Sequence, residues 1–119
     1  MPHDPVKLLA DILTGADAIT SFCLPRTQED LLNDLQLRSA VERQFEIIGE
    51  ALRRLEKDAP EVAFRISEYR RIIAFRNIIA HGYDILDPVI TWQAATRKLP
   101  ILRAETQKLL DELAPPEAP

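Results

Sequence analysis

Between residues 37 and 55, apolar side chains recur at Leu37, Val41, Phe45, Ile48, Leu52 and Leu55, with spacings of 4, 4, 3, 4 and 3. A strand alternates every second residue and cannot place these six on one side, whereas an α-helix gathers them into a single narrow seam. Such a helix is stable only when other elements cover the seam, and the rest of the chain has the composition to do so. Hydrophobic residues make up 46%, Leu, Ile, Ala, Glu and Arg are abundant, and there are only three glycines, a balance that favours helix over sheet. A chain of 119 residues suffices for one core but not two. The expected fold is all-α, an antiparallel four- to five-helix bundle formed by residues 1–113, with residues 114–119 (APPEAP) as a tail lacking core-forming side chains.

Helix punctuation supports this division. Asp4 before Pro5 is an N-cap acceptor followed by proline at the first helical position, and the first helix should run to about Cys23, ahead of Pro25. Thr27 and Asp30 resemble a capping box, which would open one long helix continuing through the seam to Pro60. Gly49 inside it reads either as a close helix approach or as a tolerated defect. Glu42, Glu46 and Glu50 form an acidic row, either a solvated face or a surface for a basic partner. After a one-turn connection over 60–66, Ser67 is placed to cap a third helix that Gly82 would stop. Asp87-Pro88 then opens a fourth, with a stripe of Trp92, Leu99, Leu102, Leu109 and Leu113 that Pro100 should kink or restart.

Several function classes fall away. Fifteen Lys+Arg against nineteen Asp+Glu, a formal charge of −4, give no global positive field for non-specific nucleic-acid binding, so an anionic partner must be met locally. Cys23 is the only cysteine, which excludes an intramolecular disulfide and a cysteine-based zinc site, and it reads as a small buried hydrophobe. No Gly-rich Lys-Ser/Thr loop or Glu-x-x-His pair is present. With no long apolar run and no signal-peptide pattern, a soluble cytoplasmic protein without membrane association is expected.

The stretch RNIIAHGYD, residues 76–84, concentrates polar chemistry in an otherwise apolar segment. Arg76 and His81 are five residues apart, about 140° around an ideal helix, so they straddle a groove rather than stack. Asn77 lies four residues before His81, and Tyr83 seven after Arg76. The set suits a phosphodiester: arginine offers a charged planar fork to phosphate oxygens, histidine exchanges protons near neutral pH, and asparagine can orient either histidine or substrate. RNA carries its own nucleophile in the 2′-hydroxyl, so a base and a cation could suffice, without metal or other cofactor. Because His3 sits at the terminus, a two-histidine mechanism would need a second copy of the chain. Spacing alone leaves the other reading open, a surface cation and a histidine at a helix C-terminus.

These residues resemble the HepT family of small prokaryotic toxins, within the wider HEPN group of all-helical domains. Arg76-NIIA-His81-Gly82-Tyr83 fits the family's R-x4-H-x-Y motif without a gap, and Asn77 fits the polar residue that commonly follows the arginine. LRSAVERQFEIIGEALRRL, residues 37–55, is similar to the family's ERxxEIIGEA segment, and the resemblance covers roughly residues 4–113. It implies a metal-independent endoribonuclease in a toxin-antitoxin system, dimerising through the motif-bearing helices so that two copies build one site. Arg76 would neutralise the phosphate, His81 transfer protons and Asn77 position them. The implied partner is a minimal nucleotidyltransferase antitoxin that places AMP on Tyr83, setting a tethered phosphate beside Arg76. Arg65, Arg70, Arg71 and Arg76 against Glu68 form a local basic island, which points to Arg70 and Arg71 as RNA contacts. The rival within the same resemblance is a non-catalytic subunit that binds a nucleotide or docks a nucleotidyltransferase.

Overall fold

The structure, a computed structural model, describes residues 4–81 and 87–115. All regular structure among them is helical: α1 (Pro5–Cys23), α2 (Gln28–Asn33), α3 (Leu35–Asp58), α4 (Pro60–Ala63), α5 (Tyr69–His81), α6 (Pro88–Gln93) and α7 (Leu99–Leu113). A π-helical turn, Ala94–Lys98, joins α6 to α7 as one rod, so four long helices form the bundle and two short ones link them. None of the described helices is long and apolar enough to cross a membrane.

The start signals act as their chemistry demands. Asp4 Oδ1 accepts the Val6 N–H at 2.9 Å, and Asp87 Oδ1 accepts that of Val89 at 2.9 Å, each with proline next in line. Thr27 and Asp30 form the reciprocal capping box, at 2.9 and 3.1 Å. The long helix expected from this point is instead broken at Asp34, whose backbone (φ −110°, ψ 101°) leaves the helical region. Its N–H closes α2 on the Asp30 carbonyl, while its carboxylate accepts the Leu37 N–H at 3.1 Å and starts α3. A short acidic side chain that can bond nearby backbone competes with helix continuation, and here it wins.

α3 is the central column. All six seam residues are buried, packing against α1 through Leu9, Ile12, Ala16 and Ile19 and against α5 on another side. α7 closes the bundle over α1. Cys23 lies buried in this core, and burial pushes its thiol up from the ordinary range.

Two further expectations shift. Ser67 does not cap α5: its N–H and hydroxyl donate to the Glu105 carboxylate on α7, the hydroxyl at 2.9 Å, and Glu68 follows at φ 56°, a left-handed turn that delays the helix to Tyr69. In the last rod, the Leu99 N–H bonds the Ala94 carbonyl five residues back, so the turn widens just before Pro100. Proline cannot donate to the carbonyl four residues back and its ring crowds that group, which fits the restart expected there. The buried stripe then runs Thr91, Ala95, Leu99, Leu102, Thr106, Leu109, whereas Leu113 is exposed beyond the core.

Candidate active site on the motif helix

α5 is held mainly from one side. Phe75 meets Phe45 of α3 edge-on, with ring centroids 5.1 Å apart, and Ile72, Ile73 and Ile79 are partly buried against the core. Tyr69 alone among the residues of α5 is buried. The polar motif residues Asn77 and His81 are exposed, and Ile78 between them is 51% exposed.

Arg76 is different. Its side chain is only 26% exposed, because its stem crosses α3 at Gly49. A Cβ built on Gly49 would fall 2.2 Å from Arg76 Cβ and 2.7 Å from Cγ, so of the two readings of this glycine the close approach is the correct one. The guanidinium emerges between two partners: Nη1 donates to Asn77 Oδ1 at 2.9 Å, and Nη2 lies 3.3 Å from Glu50 Oε2. Nε is buried without a hydrogen-bond partner among the described residues. The fork is therefore constrained along its stem and at both terminal nitrogens.

Glu50 anchors this arrangement from α3. It accepts from Arg53 at 3.0 and 3.1 Å and from Arg54 at 3.0 Å. Arg53 bonding pulls its carboxyl down to about 2 against the opposing pull of burial, with Arg54 and the Arg76 charge adding to the effect. It is thus an anion near neutral pH. The other members of the acidic row are half-buried: Glu46 pairs with Arg43 at 3.7 Å, and burial pushes the Glu42 carboxyl up, only partly offset by Arg38. The row is neither simply solvated nor free for a partner along its length.

Beside Arg76 lies a polar groove of about 230 Å³, bounded by Asp11 of α1 and Arg43, Glu46, Glu50 and Arg54 of α3. His81 forms the last turn of α5, one turn beyond Asn77. Tyr83 and Gly82, together with the modification expected at Tyr83, lie outside the described residues.

The basic island looks different once the chain is folded. Arg65 pairs with Glu112 through two bonds, Arg70 with Glu56 at 3.3 Å, Arg71 with Glu68 at 3.1 Å, and Arg76 with Glu50. Three of these four carboxylates come from distant positions in the chain, which is why the local sequence showed an excess of cations. Arg70 and Arg71 remain 74% and 81% exposed, and exposed pairs of this sort separate at little cost. Arg70 also sits over the Tyr69 ring and bonds its hydroxyl at 3.0 Å. In the sequence Glu50 reads as the last member of an acidic row and Gly49 as either a close helix approach or a tolerated defect, both inside the EIIGEA segment; their meeting with Arg76 is set by the crossing of two helices and has no local signal.

Comparison with known proteins identifies the family. The family model described as "Ribonuclease HepT-like" matches residues 12–109. "Putative RNase MJ0125" of Methanocaldococcus jannaschii is 30% identical over 114 residues, covering 95% of this chain and 97% of its own length. "Probable ribonuclease HepT" of Thermococcus cleftensis is 30% identical over 101 residues, covering 85% and 91%. No solved structure matches the chain at comparable significance. The match runs through α3 and α5, the two helices that place Arg76, and the chain belongs to the HepT-like ribonuclease family.

Proposed function

We propose that this protein is a metal-independent endoribonuclease whose site is completed by a second copy of the chain, and that it acts as the toxin of a toxin-antitoxin pair. The observation that carries the reading is the half-buried Arg76, aimed by Asn77 and Glu50 in a chain whose relatives are named as ribonucleases.

In this mechanism the RNA phosphate takes up the guanidinium fork of Arg76, which stabilises the charge that builds on the phosphorane. His81 accepts the proton of the 2′-hydroxyl as that oxygen attacks phosphorus, and His81 of the partner subunit protonates the departing 5′-oxygen. A 2′,3′-cyclic phosphate and a free 5′-hydroxyl result. The exposed Ile78, beside Asn77 and His81, supports pairing of two α5 helices across a dimer. Arg70 and Arg71 stand ready as outer contacts for the RNA backbone. AMP transferred to Tyr83 by a minimal nucleotidyltransferase antitoxin would set a tethered phosphate against Arg76 and silence the site.

The test is incubation of unmodified protein, its Tyr83 verified bare by intact mass, with mixed transfer and messenger RNA in EDTA. Cleavage by the parent, lost by at least about 100-fold in Arg76→Ala and His81→Ala chains that still fold and dimerise, is the expected result. Intact RNA would favour the alternative, a nucleotide-binding or docking subunit of a nucleotidyltransferase.

A further inference from the structure

We infer that Gly49 is a positioning residue for the site: the gap it leaves in α3 sets where Arg76, and with it the reactive face of α5, stands. This rests on the ribonuclease reading above. Glycine weakens a helix interior, so a 24-residue helix that keeps one at its middle is held by something other than propensity.

The two interior glycines of the bundle make the argument by contrast. At Gly15, an added Cβ would meet Ile48 Cγ1 at 2.8 Å and Cδ1 at 3.2 Å, so the strain falls on a buried core side chain of α3 and not on the motif helix. At Gly49 the obstruction is Arg76 Cβ at 2.2 Å, with the Ile72 carbonyl oxygen at 3.4 Å. A Cβ atom is fixed to its backbone, so relief requires α5 itself to move away from α3.

That movement would not be confined to Arg76. Asn77 and His81 ride on the same helix, and Glu50, the anion that holds Arg76 Nη2, stays behind on α3. The placement of guanidinium, amide and imidazole relative to α3 is therefore set by the absence of one methyl group. Displacements of this size at a reacting centre are felt in turnover far more than in binding.

The experiment compares the parent with Gly49→Ala and Gly15→Ala, using a labelled oligoribonucleotide for kcat and KM and thermal unfolding for Tm. Gly49→Ala is expected to lose about 100-fold in kcat with KM close to the parent's. Gly15→Ala is expected to lower Tm while a folded sample retains the parental kcat. The same Gly49→Ala change is also made in an Arg76→Gly chain, where Cβ and Cγ of residue 76 are gone and only the Ile72 carbonyl remains, at an ordinary contact distance; there its effect on Tm should largely vanish. Parental turnover in a folded Gly49→Ala chain, or an undiminished Tm loss with glycine at 76, overturns the inference. A parent that cleaves no RNA counts against the ribonuclease reading instead, and the Tm pair then decides whether position 49 sets the placement of residue 76.

Discussion

Glu50 on α3 and Arg76 on α5 meet at 3.3 Å, the point at which the long central helix takes hold of the motif. Glu50→Gln keeps the shape and removes the charge. Turnover of RNA should fall by about tenfold, because the guanidinium loses one of the two groups that aim it. Unchanged kcat in a folded variant would show that Glu50 only fills space.

The same carboxylate makes stability depend on acid. Its folded pKa, about 2, lies below the unfolded value of 4.5, so its contribution is full above pH 4.5 and drains away as pH falls toward 2. Urea midpoints measured from pH 7 to pH 3 should decline more steeply for the parent than for Glu50→Gln. Parallel curves would remove Glu50 as the cause. Glu42 has the opposite sign: burial raises its folded pKa, so its ionisation opposes folding, and Glu42→Gln should raise Tm at pH 7, with the gain fading as pH falls through the raised folded value toward 4.5 and absent below it.

Thr106 is fully buried in the stripe of α7, and its hydroxyl has no hydrogen-bond partner among the described residues. Thr106→Val replaces an unsatisfied hydroxyl with a methyl of similar size, for an expected gain of about 1 kcal/mol in chemical denaturation. A loss of stability would mean that the hydroxyl is satisfied in solution.

Glu68 holds φ 56° at the entrance to α5, a conformation that costs a residue with a side chain about 1 kcal/mol more than glycine. Its pairs with Arg71 and Lys98, at 3.1 and 3.4 Å, are exposed and offset little of this. Glu68→Gly should therefore raise Tm by a few degrees. A lower Tm would show that the two pairs outweigh the strain.

What could be read in advance follows the range of the interaction. Caps at Asp4, Thr27 and Asp87 are local contests between one side chain and nearby backbone, and the α3 seam is a periodicity, so both are written within a few residues. The break at Asp34 was harder, since Asp can either cap or be carried along, and only tertiary packing decides. Ser67 departs from the capping role its position suggests because its partner, Glu105, arrives from 38 residues away. Likewise, the seating of Arg76 depends on α3 and α5 crossing at Gly49, a property of two helices together. The motif gave the residue types; the pairing with Glu50 needed the fold.

The widened turn at Ala94–Lys98 bears on where this chain can change length. Four residues overshoot a regular helical turn by about 40°, so the two successive fours from Thr91 to Ala95 to Leu99 would drift by about 80°. A turn closed five residues back absorbs much of that drift and keeps Thr91 and Leu99 facing the same side. The segment works as a phase coupler between the two halves of the rod. One residue gained or lost there would rotate one half by about 100° against the other, turning either Thr91 or the Leu102–Leu109 face toward water. Insertions should be tolerated in the connections between helices long before they are tolerated within these five residues.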